Sequence, residues 1–376
     1  MRLKLLTLAL AMAAVSLPSH GEDLLDAYRE ARANDPVLMQ ADATRLSIGE
    51  NVDQARAHLL PQISAGLSLQ QTNGGNHELV RDPTDPTQTI NTSQFGHTRT
   101  RSVNAQLSQT VLDFSEYANL KAAHSAAQAQ DELYQSALQQ LYVRVTEAYF
   151  GVLTGEDQLA YAKANEDAYR QQYEQSNQRF KVGLSAITDV YQAKSYYEAA
   201  KANTIATENA LNDAREALTE ITGKPTGELK KLREDLPMQP PTPSDPDTWV
   251  KQPLETNPDL LAQRAVLRQT DESLAQAVAN WRPKVSLSVE YNKIEADSIP
   301  VARANSYFIL NGRTTLLSVT QPLFRGGKTV ADTKTAQANI QSQRALLADT
   351  EQTVLLQATT SYADLVRDVG IVDVRK

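Results

Sequence analysis

The chain contains two copies of one pattern, and a duplicated unit constrains architecture before any motif is read. NDPVLMQADATRL (34–46) aligns with TNPDLLAQRAVLR (256–268), pairing Pro36 with Pro258. QARAHLLPQISAGLSL (54–69) aligns with QAVANWRPKVSLSVEY (276–291) at the same offset of 222, pairing Pro61 with Pro283. Further along, QTVLDFS (109–115) pairs with QPLFRGG (321–327), and Ala148-Tyr149 with Ser361-Tyr362, at offsets of 212 to 213. The loop between these blocks is therefore about ten residues shorter in the second copy.

Between the copies stand Pro225, Pro237, Pro240, Pro241, Pro243, Pro246, Pro253 and Pro258, too many for a continuing helix. The chain thus reads as a first repeat over 22–224, a proline-rich connector over 225–255 and a second repeat over 256–376. On the 213 offset Lys376 corresponds to position 163, so the second copy lacks equivalents of 164–223 and reads as incomplete, a fragment or a frameshifted product.

No proline occurs between Pro86 and Pro225. Apolar or small residues at Tyr134, Leu138, Leu141, Val145, Ala148, Val152, Gly155, Leu159 and Ala162 alternate steps of four and three, the spacing of a coiled-coil seam. After Val182-Gly183-Leu184 the rhythm resumes at Val190, Ala193, Tyr197, Ala200, Thr204, Thr207, Leu211, Ala214, Leu218 and Ile221. This predicts a long helical hairpin over 115–222, and a helix of about 65 residues reaches roughly 100 Å. Ala199, Ala202, Ala206 and Ala210 form a second row off the seam, so the helix has two faces suited to neighbours. If the second repeat lacks its last helix pair, Leu138, Leu141 and Val145 are expected to lie exposed and to promote aggregation.

Four segments alternate with period two and predict strands at about 61–71, 101–110, 283–292 and 313–321. Ile63, Ala65, Leu67 and Leu69 form one face of the first, and Val285, Leu287, Val289 and Tyr291 one face of the third. Polar loops at about 71–101 and 292–313 join the pairs. Pro61, Pro283 and Pro322 mark the helix–strand junctions, where a fixed φ is useful. Such strands suit either a soluble sheet or an outer-membrane barrel. A barrel needs at least eight strands, so four per chain require two or three copies.

Met1 to Gly21 carries Arg2 and Lys4 before an apolar run and ends in small residues, which reads as a signal peptide. No later run approaches a membrane-spanning helix, so any membrane insertion must use strands. The net charge of −8, falling to −10 without Arg2 and Lys4, speaks against a nucleic-acid partner. Cysteine is absent, which removes disulfides, thiolate metal sites and cysteine nucleophiles.

LLPQISAGLSL, LSQTVLDFS, AYFGVLTGEDQLAYA, TQPLFRGGK and above all QRFKVGLSAITDVYQAK (178–194) resemble the TolC family of outer-membrane channel proteins, over nearly all of Glu22 to Lys376. The resemblance implies an α+β membrane protein. Each of three protomers gives four transmembrane strands to one twelve-stranded barrel, continued by a periplasmic barrel of long helices. It implies a passive duct for efflux or type I secretion, a homotrimer partnered by a periplasmic adaptor and an inner-membrane RND or ABC transporter. Val182, Gly183, Leu184 and Ser185 match the helical tip that meets the adaptor, and Thr188 and Asp189 match the periplasmic entrance. Three Asp189 side chains around one axis form an acidic ring that favours cations. Asp189 also suits a simpler role, an acid in the first turn of a helix capped by Ser185. In the family the second copy supplies another such turn, with the groups that tie the entrance shut, and this sequence stops short of it.

Catalytic chemistry is not legible. Gly327-Lys328-Thr329 fails as a phosphate loop because Pro322 stands where glycine is needed. The five histidines are scattered, and no hydrolase elbow or dinucleotide fingerprint occurs. No catalytic residue, metal or cofactor is assigned. The alternative is a soluble periplasmic coiled-coil adaptor or scaffold, which shares the leader and the heptads but has no need of alternating strands.

Overall fold

The computed structural model describes residues 22–76, 79–85, 87–91, 94–232, 245–300 and 306–375. The leader Met1–Gly21 and the connector prolines Pro237, Pro240, Pro241 and Pro243 lie outside the described residues. In chain order the elements are α1 (Leu24–Asn34), α2 (Pro36–Ala57), β1 (Gln62–Asn76), β2 (Leu79–Arg81), β3 (Thr89–Asn91), β4 (Gln94–Leu112), α3 (Phe114–Lys181), α4 (Ile187–Thr222), α5 (Pro246–Thr256), α6 (Pro258–Ala279), β5 (Lys284–Pro300), β6 (Ser306–Thr320) and α7 (Lys328–Arg375).

Pro36 and Pro258 each open a helix, where the missing N–H is no loss. Each follows a capping side chain: Asp35 Oδ2 accepts the Leu38 N–H at 2.8 Å, and Asn257 Oδ1 accepts the Leu260 N–H at 3.1 Å. Helices of 11 and 22 residues occur in both copies, α1 and α2 recurring as α5 and α6. The first residues of α1, α2 and β1 all carry over to α5, α6 and β5 at the offset of 222.

The strands pair antiparallel in the order β1-β4-β5-β6. Gln62 faces Ser108 and Lys284 faces Thr320, so one pairing maps onto the other when 222 is added to the first strand and 212 to the second. The two repeats therefore share one register and meet where β4 pairs with β5. A bulge at Val111 interrupts that last ladder just before α3. β2 and β3 form a separate hairpin.

Two compact units cut across the repeats. One comprises residues 46–129 and 262–351 and holds the sheet. The other comprises the described residues up to 45, within 130–261 and from 352, and holds the hairpin of α3 and α4. Contacts follow packing rather than descent, since strands of both copies must share one sheet to pair at all.

In the hairpin unit, Leu141, Val145 and Val152 are fully buried, packed with Ala27, Ala31, Leu211 and Leu218. Leu138 is partly buried against the same cluster. The expectation that Leu138, Leu141 and Val145 lie exposed is corrected: α1 and α4 cover them within the chain. Gly155 marks a close approach, because a Cβ there would stand 3.2 Å from Leu211 Cδ1. Arg215 bridges to Glu156 at 2.9 Å across the hairpin. Asp35, 2% exposed, takes both guanidinium nitrogens of Arg144 at 3.1 and 2.8 Å. Glu22 pairs with the 228–230 segment through Glu22 N–H to Glu228 O (2.9 Å) and Lys230 N–H to Glu22 O (3.0 Å). The Tyr149 hydroxyl closes this joint, donating to the carbonyls of Lys230 (2.7 Å) and Glu22 (3.0 Å).

Three further expectations need revision. The strands run longer than the alternation suggests, to Asn76, back to Gln94, to Pro300 and back to Ser306, because residues assigned to polar loops stay in register. The prolines expected to be too many for a helix do not prevent one at the connector's end: α5 forms there, with Pro246 at the first helical position, where φ suits and no bond is lost, and Pro253 inside the helix. Ser185 does not cap the second hairpin helix, as described next.

Candidate functional site

α3 stops in a turn that depends on one glycine. Gly183 has φ 77°, a conformation that side chains with a Cβ avoid. Its N–H bonds Phe180 O at 2.9 Å and the Leu184 N–H bonds Arg179 O at 2.8 Å, the paired bonds of a Schellman stop. Ser185 Oγ turns back to Ser176 O at 3.5 Å instead of capping α4. The capping position falls on Ala186, whose side chain accepts nothing, and the Asp189 carboxylate accepts the Ala186 N–H at 3.3 Å. The acid thus does serve the helix start, while remaining exposed with Thr188.

The turn presents an apolar surface. Val182 is 69% and Leu184 73% exposed, and Ile187 and Tyr191 stand out beside them while Val190 and Ala193 face inward. Ile187 and Tyr191 escape motif reading, although their i,i+4 spacing off the buried seam marks them as neighbours on the outer face. Tyr173 and Tyr197 stack at 6.2 Å with planes 3° apart, and Tyr169 and Tyr196 meet at 5.9 Å, bracing the hairpin close to its turn. Val182, Leu184, Ile187 and Tyr191 together leave an exposed apolar surface at the turn.

A second exposed apolar surface lies on the sheet. Cross-strand register aligns Ile63, Ala65 and Leu67 with Leu107, Ala105 and Val103, then with Val289 and Tyr291, and Leu287 and Val285 with Leu317 and Val319. Ile63 (78%), Leu67 (72%), Leu317 (63%) and Val319 (67%) are open to the surroundings. The opposite face carries Ser64, Gln106, Glu290 and Thr314 in one row and Gly66, Asn104, Asn292 and Gly312 in the next. From Val285 to Tyr291 the apolar stretch spans about 20 Å along the strand. Beyond it the same face turns charged, with Arg101 opposite Glu295, Arg99 opposite Asp297, and Lys293 bonded to Glu295 at 2.6 Å. A band of this height, apolar on one face and, Leu316 apart, polar on the other, fits a barrel wall in lipid.

At the base of the sheet the junction prolines share one device. Gln109 Nε2 donates to Leu59 O at 2.8 Å, two residues before Pro61. Gln321 Nε2 donates to Trp281 O at 2.6 Å, two residues before Pro283. Pro322 follows directly on the second glutamine. Between the repeats, Asp113 caps α3 through the Ser115 N–H (2.9 Å) and pairs with Lys284 Nζ at 2.8 Å, while Arg282 lies 4.7 Å from the Phe114 ring centroid. Among the described residues no helix is long and apolar enough to cross a membrane, and no group of three or more metal-ligating side chains comes together.

The family described as outer membrane efflux protein matches residues 27–224 and 249–367. The chain is 29% identical over 373 residues to outer membrane protein TolC of Salmonella enteritidis, covering 98% of this chain and 72% of that protein. It is 27% identical over 344 residues to the alkaline protease secretion protein AprF of Pseudomonas aeruginosa, covering 90% and 69%. The solved structure of CusC, described in terms of transmembrane channel formation, superposes with a TM-score of 0.69 at 17% identity over 94% of this chain and 77% of that one. The fold is that of these α+β channels.

Proposed function

The chain belongs to the outer membrane efflux protein family, and from that premise we propose how its surfaces serve a passive outer-membrane duct for efflux or type I secretion. The observation that carries the reading is the open sheet: β1 and β6 are edges without a strand partner among the described residues, and its apolar face is unburied. Lipid tolerates neither an open edge nor a soluble scaffold's polar sheet, so the four strands must be completed by other copies. Three copies give a homotrimer with twelve strands, the strand pairs of the two repeats 22–224 and 256–376 alternating around the wall.

The turn at Val182, Gly183, Leu184 and Ser185 meets a periplasmic adaptor, with Ile187 and Tyr191 widening the contact. Thr188 and Asp189 line the entrance, where an acidic ring biases passage toward cations. An inner-membrane RND or ABC transporter supplies the energy, since the relatives are channel and secretion proteins and the duct performs no chemistry. The test is carbonate extraction followed by planar-bilayer recording of the purified protein. Retention in the outer membrane with discrete conductance steps supports the duct. Release into the periplasmic fraction without conductance overturns it and returns the soluble scaffold.

A further inference from the structure

The seam that joins the repeats within one chain has a counterpart that one chain leaves open. β4 of the first repeat pairs with β5 of the second, whereas their equivalents β6 and β1 lie at opposite edges. Where β4 runs into α3 the inner seam is charged, with Lys284 on Asp113 and Arg282 over Phe114. Carried along the two offsets, Lys284 becomes Gln62, Arg282 becomes Leu60, Asp113 becomes Arg325 and Phe114 becomes Gly326. Both members of the ion pair have changed together, so that Arg325 would meet an amide rather than a second cation.

Apolar groups stand there instead. Leu323 is 85% and Phe324 84% exposed, the most open large apolar side chains among the described residues, and Leu60 is 52% exposed. Their position is fixed rather than loose. Gln321 ties the turn to Trp281 O, and Gly326 and Gly327, at φ 60° and 85°, lead it into α7.

We propose that Leu323 and Phe324 of one protomer close over Leu60 of the next, forming an apolar clasp at the base of the barrel. On the offset of 212 Leu323 and Phe324 correspond to Val111 and Leu112, which immediately precede the inner seam's Asp113–Lys284 and Phe114–Arg282 contacts. The occupant is a second copy of this chain, because Leu60's equivalent, Arg282, meets Phe114 within the chain, and Phe114 corresponds to Gly326 at the end of the same turn. The inference rests on the oligomeric-barrel reading and adds the residues that hold its seam. The same mapping applied to Ala105 opposite Tyr291 sets Leu317 opposite Leu69 of the next copy, which provides an independent marker of barrel closure.

The chain has no cysteine, so introduced pairs report alone. The full-length protein carrying Leu60→Cys with Phe324→Cys is oxidised in detergent beside one carrying Leu69→Cys with Leu317→Cys. Covalent oligomers from both pairs support the clasp. Oligomers from the strand pair without any from the Leu60 and Phe324 pair overturn the clasp and leave the barrel standing. Absence of both overturns the barrel reading and the clasp with it. In a second measurement, Leu323→Ser with Phe324→Ser is expected to weaken subunit association about tenfold or more at each seam, with strand cross-linking retained at high protein concentration. Unchanged resistance of the oligomer to dissociation overturns the proposal. So does a nitroxide at position 324 that collides with lipid-dissolved oxygen while the oligomer is intact, which gives the turn to lipid instead.

Discussion

Asp35 does two things at once, and the duplicated chain supplies the variant that separates them. Its carboxylate caps α2 through the Leu38 N–H and pairs with Arg144. The equivalent in the second repeat, Asn257, keeps the cap, and the residue 213 positions after Arg144 is the neutral Gln357. Losing a cap costs about 1 kcal/mol. Removing one partner of a fully buried ion pair costs about 3–5 kcal/mol, but the Arg144 side chain is 34% exposed and water takes over part of its solvation. About 1–2 kcal/mol is therefore expected for the pair. Asp35→Asn should lose only that amount, Asp35→Ala about 2–3 kcal/mol, and Asp35→Asn with Arg144→Gln should regain most of the loss by removing the stranded cation. The readout is the midpoint of helical circular dichroism on heating in detergent at a fixed scan rate, where each kcal/mol moves the midpoint by about 2–4 °C. If Asn at 35 is as harmful as Ala, the cap is not being retained. If the double variant shows the sum of the two single losses, the pair has no coupling, and either result refutes the reasoning.

Burial pushes the Asp113 carboxyl upward, but hydrogen bonds from Lys284 and Ser115 outweigh it and hold the group below the usual carboxylate range. Its contribution is complete above about pH 4, the ordinary value, and fades as pH falls through the lower folded value. Asp113→Asn should therefore lower the melting midpoint at neutral pH and flatten its acid dependence below about pH 4. Tyr149→Phe leaves the Lys230 and Glu22 carbonyls without their shared donor and should cost about 1–2 kcal/mol, read as faster amide exchange at Lys230. Gly183→Val forces a β-branched residue to positive φ and should cost about 2 kcal/mol, confined to proteolytic opening of the 178–189 turn with the sheet unaffected.

Much of this was legible because periodicity reports burial. The α4 seam from Val190 to Ile221 is buried or half-buried throughout, since steps of four and three can lie along a neighbour only one way. Strand ends were not legible: Asn73, Gly74, Arg99 and Asp297 look like loop residues, yet ladder bonds use the backbone and accept them. The cover over Leu141 and Val145 was equally hidden, because α1 is distant in sequence and a helix face does not name its partner. Asp35 and Arg144 lie 109 residues apart, and no spacing rule connects them. At the turn, Gly183 announced a reversal, but which following residue caps α4 depended on whether Ser185 faced forward or back.

The glutamines at 109 and 321 each fasten the end of a strand to a carbonyl two residues past the end of a helix, and they do so at one margin of the sheet. Alignment is settled there before the chain has travelled outward. The far hairpins are consequently released from any part in keeping the wall true, and can grow, shrink or change under pressure from outside the cell. A conduit anchored from below in this way can alter the face it shows the world without disturbing its pipe.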